Sequence, residues 1–365
     1  MMIVDTSPDD RPVDPFSDLD VYIGLPRVAG LWLSRDGRRL VVGVATPDRK
    51  KARYTTALWE VDPDGTRPAR RLTRSSQGES AAAFTPSGDL LFTSSRPEPD
   101  GGDDEEPKAA LWLQPVGGGD ARVVAGAPGG VGGVVVSETG MVVVGSAMMP
   151  LSQDVAGDHE IRGKRTEAAV SAVLHEGYPV RHWDHDLGPD RTRLLVTDLA
   201  REVMLGDVRL ELRDVTGHVG GALDDECTWD VAPDGRTVVA EWAVAEPAGS
   251  QRHTLVAIDS ANGERRTLAD DPDHEYGSPR LSPDGTRVAV VVSRRTTPLD
   301  PGDRWIGIVP LAGGPVQALT QARRRGSPIQ SGRSLRHPSR LGRCQSSPRT
   351  WWARKARMVE YQTLA

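Results

Sequence analysis

The stretch Ser282-Pro283-Asp284-Gly285-Thr286-Arg287-Val288-Ala289-Val290-Val291-Val292 is a tight turn feeding a buried strand. Pro presets φ, Asp can bond the following backbone, and Gly accepts positive φ. The β-branched run behind it has the near-continuous apolarity of a strand covered on both faces. The same phrase recurs upstream as Ser34-Arg35-Asp36-Gly37, Thr85-Pro86-Ser87-Gly88, Ser137-Glu138-Thr139-Gly140 and Ala232-Pro233-Asp234-Gly235. Successive starts are 51, 52, 95 and 50 residues apart. A weaker copy, Gly188-Pro189-Asp190-Arg191, divides the long gap into 51 and 44. Six copies at a period of about 50 predict an all-β propeller with six recognisable blades.

The neighbouring segments fit four strands per blade. A small apolar strand leads in, as in Ala81-Ala82-Ala83-Phe84 or Cys227-Thr228-Trp229-Asp230-Val231. The third strand reads as alternating in Ala57-Leu58-Trp59-Glu60-Val61-Asp62 and Ala110-Leu111-Trp112-Leu113. The fourth is short and polar, as in Ala69-Arg70-Arg71-Leu72-Thr73 and Val316-Gln317-Ala318-Leu319-Thr320. Polar outer strands protect the open edge of a blade. Between the third and fourth copies, residues 154–175 lose β alternation. Ile161, Ala168, Val170, Ala172, Val173 and Leu174 sit among charges there, predicting an inserted helix ended by Gly177 and Pro179. Such insertions often carry function.

Composition narrows the classes further. The 365 residues are 38% hydrophobic and 26% charged, enough for a sizeable core. Two cysteines exclude a disulfide framework and an all-cysteine zinc site. No apolar run reaches the roughly 20 residues of a membrane span. The opening Met-Met-Ile-Val-Asp-Thr-Ser-Pro-Asp-Asp lacks the basic start of a secretion signal, so a cytoplasmic location is expected. The net charge of −6 is unevenly spread. Residues 322–365 hold eleven of the 45 basic residues and only Glu360 of the 51 acids, leaving 34 and 50 upstream. An acidic body repels nucleic acid and anionic membranes, so neither is an expected partner. The basic end, with Arg323-Arg324-Arg325 and Trp351-Trp352, has no strand or helix period and reads as irregular, as after a shifted reading frame. The expected organisation is an N-terminal tail over 1–20, an incomplete propeller over 21–321 and an irregular tail over 322–365.

Other constellations give way to structural readings. His182-Trp183-Asp184-His185-Asp186 offers imidazoles and carboxylates. Neighbours on a strand point to opposite faces, however, and no third cluster completes a metal site. His159 and His175, flanking the helix, read as surface residues. Asp100-Gly101-Gly102-Asp103-Asp104-Glu105-Glu106 lacks the ligand spacing of a calcium loop and reads as a solvated acidic loop. Gly117-Gly118-Gly119 and Gly129-Gly130-Val131-Gly132-Gly133 open no helix and read as turns rather than phosphate cradles. Cys227 leads a repeat strand and is expected to be buried. Cys344 lies in the tail, and the acids 224–226 oppose an activated thiol at Cys227. No cofactor and no metal are expected.

Two segments carry a family resemblance: Asp18-Leu19-Asp20-Val21-Tyr22-Ile23-Gly24-Leu25-Pro26-Arg27-Val28, and Val170-Ser171-Ala172-Val173-Leu174-His175-Glu176-Gly177-Tyr178-Pro179-Val180-Arg181-His182-Trp183-Asp184-His185-Asp186-Leu187-Gly188. Together with the repeats, the chain resembles over about 18–321 the N-terminal propeller of prolyl oligopeptidase-family serine peptidases, in the acylaminoacyl-peptidase and dipeptidyl-aminopeptidase branch. That resemblance implies a seven-bladed propeller that limits access of peptide or acyl-peptide substrates to an α/β-hydrolase domain. The catalytic Ser of such a domain sits on a G-x-S-x-G elbow, whose strained turn needs small neighbours. Here Gly78-Glu79-Ser80 continues to Ala82 and Gly332-Arg333-Ser334 to Arg336, so neither is an elbow. The expectation is therefore a gating propeller truncated before its catalytic domain, with no catalytic residue, no assigned substrate-binding residue and no activity alone. The alternative is a free-standing propeller that binds a protein or small ligand. Oligomeric state is not legible.

Overall fold

A computed structural model describes residues 16–320 except 49, 51–52, 98–106, 176, 178–179, 183–184, 200–208, 224–226 and 300. The chain divides into two compact units, with the boundary between Val124 and Ala125. The tail over 322–365 and the acidic run 100–106 lie outside the described residues.

The first unit begins with a short helix, α1 (Leu19–Gly24), which buries none of its residues. Asp18 caps it, its Oδ1 accepting the backbone N–H of Asp20 and Val21 at 2.8 and 3.1 Å. The first sheet follows, in the order β1 (Arg27–Leu33), β2 (Leu40–Pro47), β3 (Tyr54–Val61), β4 (Arg70–Arg71). The second is β5 (Glu79–Phe84), β6 (Leu90–Ser94), β7 (Ala110–Gln114), β8 (Arg122–Ala125), its last strand reaching the unit boundary. Val41, Leu58, Phe84, Leu90, Phe92 and Trp112 form one buried cluster between them. Arg39 ties the sheets at their turns, donating to Glu60 Oε1 at 2.7 Å and to the Gly88 carbonyl at 2.5 Å.

The second unit carries β9 (Gly132–Val136), β10 (Met141–Met148), α2 (Val155–Glu167), the two-residue strands β11 (Arg181–His182) and β12 (His185–Asp186), β13 (Arg191–Asp198) and β14 (Arg213–Asp214). Sheet three runs β14-β13-β10-β9, and β11 and β12 form a separate two-stranded pair. Sheet four is β15 (Trp229–Val231), β16 (Thr237–Ala245), β17 (Gln251–Asp259), β18 (Arg265–Ala269). Sheet five is β19 (His274–Leu281), β20 (Arg287–Arg294), β21 (Arg304–Pro310), β22 (Gln317–Ala318). Val143, Leu194, Val196, Val238, Val256 and Ile258 fill one buried cluster. Leu255, Tyr276, Val288, Val290 and Val309 contribute to a second.

The repeated phrase makes one turn five times over. In each copy the glycine N–H bonds to the carbonyl of the first residue: Gly37 to Ser34, Gly88 to Thr85, Gly140 to Ser137, Gly235 to Ala232 and Gly285 to Ser282, at 2.8–3.4 Å. All five glycines have positive φ, from 67° to 97°, the region glycine enters without penalty. Where the first residue has a hydroxyl, it closes the turn a second time, as when Ser282 Oγ donates to Asp284 Oδ1 at 2.5 Å and accepts the Arg287 N–H at 3.0 Å.

The sixth copy is different. Gly188-Pro189-Asp190-Arg191 joins no new blade; it leads into β13, which pairs with β10 along its whole length, from Met141↔Asp198 to Met148↔Arg191. The described residues therefore contain five four-stranded sheets where the repeat count predicts six blades. The helix insertion sits within sheet three, between its second and third strands, rather than between two blades. Third strands are also buried in continuous runs rather than alternating, as in β17, because their middles are covered on both faces. Fourth strands are short, and β4 and β22 are exposed as predicted, whereas β8 has no exposed residue and ends buried.

Inner strands share a kink. Register slips between Val28 and Gly30, between Ser80 and Ala82, and between Gly277 and Arg280. Two of these bulges hold a non-glycine residue in the left-handed region, Ala81 at φ 36° and Ser278 at φ 51°. At Ser278 the freed N–H is met by Thr228 Oγ1 at 3.1 Å and by the Glu241 carboxylate at 3.4 Å. Burial pushes the Glu241 carboxyl up, against the opposing pull of the His253 charge.

Candidate functional site

The insertion at 149–190 is the largest departure from the repeat. Its helix α2, VAGDHEIRGKRTE, lacks an apolar face, and the one residue it buries is Asp158, fully shielded from solvent. A carboxylate survives burial only when its oxygens are taken up by donors. Asp158 Oδ1 accepts the Met149 N–H at 2.7 Å and the Ser152 hydroxyl at 2.9 Å, and Oδ2 accepts Arg162 Nε at 2.8 Å. Arg162 then reaches the Ala147 carbonyl and Asp190 Oδ2, each at 2.9 Å. Burial alone would lower the Arg162 guanidinium, but its bonds to Asp158 and Asp190 leave it raised. The helix is thus fixed to both strands that flank the insertion by charge rather than by apolar packing.

Beneath it lies Arg193 on β13, 1% exposed. Its two terminal nitrogens donate to the carbonyls of Ser152 at 2.9 Å, Met149 at 2.9 Å and Pro150 at 3.0 Å. An ion pair at 3.0 Å joins it to Asp214, whose other oxygen takes the N–H groups of Thr216 and Gly217. One arginine therefore holds the first turn of the insertion against the outer strand of its own sheet.

The outer part of the insertion is apolar and open. The helix ends at Glu167, well before the predicted 175, because Ala169 turns left-handed at φ 49° and the Val170 N–H closes back on the Arg165 carbonyl. Beyond it Val170, Val173 and Leu174 are exposed, Leu174 at 81%, and Leu151 at the start of the insertion is equally open at 81%. Arg165 steadies this run by donating to the Ala172 carbonyl at 2.8 Å.

Other sequence candidates fall in ordinary places. The backbone of His182 pairs with that of His185 in the β11–β12 hairpin. The metal reading of 182–186 rests on side chains outside the described residues. No group of metal-ligating side chains occurs among the described residues. His159 is exposed as expected, whereas His175 is half-buried and its Nδ1 has no hydrogen-bond partner among the described residues. Cys227 is buried, 7% exposed. Gly117-Gly118-Gly119 forms a turn, but Gly132 and Gly133 belong to strand β9, where Trp229 lies against Gly133 and Gly145 so closely that a Cβ would overlap its ring. Ser80 exchanges a hydrogen bond with Thr93 at 3.0 Å, and its neighbour Glu79 is 2% exposed and bonded to Thr73. Asp158, Arg162, Arg193 and Asp214 were not singled out in the sequence. The available signal was a charge inside the strand Arg191-Thr192-Arg193-Leu194-Leu195-Val196, since a cation set into such an apolar run needs a buried partner.

Five antiparallel four-stranded sheets with polar outer strands define a β-propeller, here with a helical insertion inside one sheet. No protein-family model and no curated protein matches the chain. Among solved structures it is similar to the acylaminoacyl peptidase of Pyrococcus horikoshii, at 10% identity and a TM-score of 0.54, over 81% of this chain and 39% of that one. It is also similar to the β-propeller domain of the trilobed protease of Pyrococcus furiosus, at 10% identity and a TM-score of 0.46, over 80% and 70%. A third is a TolB from Agrobacterium tumefaciens, at 13% identity and a TM-score of 0.46, over 81% of each chain. The chain thus spans well under half of the acylaminoacyl peptidase, and identities this low show the propeller fold alone. Among the described residues no helix is long and apolar enough to cross a membrane.

Proposed function

We propose that the chain is the substrate-gating propeller of a prolyl oligopeptidase-family serine peptidase that acts on peptides or acyl-peptides. The insertion of sheet three is its peptide-facing element. The carrying observation is the contrast within that insertion: a base locked by Asp158, Arg162 and Arg193, and an outer run that exposes Leu151, Val170, Val173 and Leu174. Exposed apolar side chains on an anchored support suit recognition of extended, partly apolar chains. The resemblance of 170–188 to the same family's propellers supports the reading.

Acyl transfer needs an activated nucleophile and donors for the developing oxyanion. The two Gly-x-Ser triplets continue to Ala82 and Arg336 and do not supply the nucleophile elbow. On this reading the chain binds peptide and does not cleave it. The test pairs two measurements on the purified chain. Acyl-peptide and aminoacyl chromogenic amides, with a phosphonate probe, should give neither turnover nor serine labelling. A fluorescent acyl-peptide should bind, with Leu174→Asp weakening it about tenfold, as expected for losing one well-packed apolar contact. Turnover, stoichiometric labelling, or binding indifferent to Leu174→Asp would each overturn the proposal.

A further inference from the structure

Sheets four and five flank an open cleft of about 410 Å³, in the size range of small-molecule sites. Leu268, Val292, Trp305 and Val316 give it apolar walls, and Asp270, Asp271, His274 and Tyr276 supply its polar groups. Asp270 is already engaged by Arg252 at 2.7 Å. Asp271 Oδ2 lies 3.1 Å from His274 Nδ1, and its other oxygen accepts the Asp273 N–H at 2.8 Å. The His274 ring meets Trp305 edge-on, with centroids 5.4 Å apart at 80°, which holds the indole in place.

Tyr276 is the odd member. Its ring is buried in the sheet, the residue being 5% exposed, and it lines the cleft. The hydroxyl itself is not among the fully buried unpaired atoms, so it is accessible to an occupant of the cleft and can accept a hydrogen bond from it. Burial first, and then the charges of Asp271 and Asp270, push the phenol up and keep it protonated. Both carboxylates disfavour an anion in the cleft, and a neutral hydrocarbon would leave the Tyr276 oxygen unmatched.

We propose that this cleft binds a small organic cation carrying an apolar ring, an arylalkylamine, with its ammonium between Asp271 and the Tyr276 oxygen and its ring against Trp305. An ammonium there satisfies the phenol oxygen and the carboxylate together, and gains from the aromatic faces beside it. The site is independent of the insertion and of the peptidase reading, so failure of either leaves the other standing.

The test uses the full chain and 2-phenylethylamine, with 3-phenylpropionate as a probe of similar size and opposite charge, measured by calorimetry and ligand-observed NMR. The amine should bind at least about tenfold tighter than the propionate, and Asp271→Asn should weaken it by about the same factor. Tyr276→Phe removes a single oxygen and should weaken binding about threefold or more at an unchanged melting temperature. That variant keeps the test decisive if Asp271→Asn disturbs the loop. Equal binding of the two probes, affinities unmoved in Tyr276→Phe, or no saturation by about 10 mM amine would overturn the proposal.

Discussion

Arg193→Met is the substitution that weighs most on the anchored insertion. The methionine fills much of the same apolar volume but leaves the Asp214 carboxylate, 6% exposed, without its counter-ion. Losing one member of a buried pair costs about 3–5 kcal/mol. Three carbonyls, of Met149, Pro150 and Ser152, also lose donors. Against this, Asp214 keeps the N–H groups of Thr216 and Gly217, and water can reach the start of the insertion once the guanidinium is gone. The net expectation is about 4 kcal/mol, a large share of the roughly 5–15 kcal/mol that holds a domain folded. Urea unfolding followed by circular dichroism measures it. Adding Asp214→Asn, which removes the stranded charge while keeping an acceptor for Thr216, should recover about 1–2 kcal/mol. A loss below about 1 kcal/mol for the single variant, or a double variant no better than the single, would refute the buried-pair account.

Gly133→Ala adds a methyl group that collides with Trp229 at a residue with φ 63°, and should lower stability by about 2 kcal/mol in a thermal melt. An unchanged melt would mean that the indole does not pack there. Folding lowers the Asp284 carboxyl from 3.8 to about 2, chiefly through the Ser282 hydroxyl and then through the Thr286 N–H. Its contribution is therefore complete above pH 3.8 and is lost as pH falls through about 2. A carboxyl titration by NMR should place the midpoint there, and Ser282→Ala should move it up; a midpoint unmoved by that change would count against the hydroxyl as the main cause.

The repeat was legible because its turn needs particular atoms at particular positions, a hydroxyl or proline followed by a glycine with positive φ. Gly188-Pro189-Asp190-Arg191 misled for the same reason in reverse. Its spacing fits the period, but no small apolar strand leads into it, and Arg191 stands where the glycine must be. Spacing alone does not distinguish a new blade from the return of a long hairpin. The helix end was hidden by composition, since Ala168, Val170, Ala172 and Val173 continue an apolar pattern past the left-handed residue that stops the helix. The anchoring charges were visible as residues but not as partners, because Asp158 and Arg193 meet through the 149–152 turn, Asp158 taking its donors and Arg193 its carbonyls, rather than through any spacing. The cleft beside Tyr276 was invisible for a related reason: Leu268, Tyr276, Val292 and Trp305 come from four different strands or their ends.

Met148 and Arg191, the last residues before and after the inserted segment, are direct cross-strand partners. Growth at that point therefore leaves the surrounding ladder untouched, since both ends of any added chain emerge side by side. Closing a longer loop is cheap, about 0.6 kcal/mol for each doubling of length. The position behaves as a socket into which segments of very different size can be spliced, and a shortened graft bridging Met148 to Arg191 with a two-residue turn should leave sheet three intact. That cassette can then be exchanged on its own, while the five repeated turns go on setting the frame.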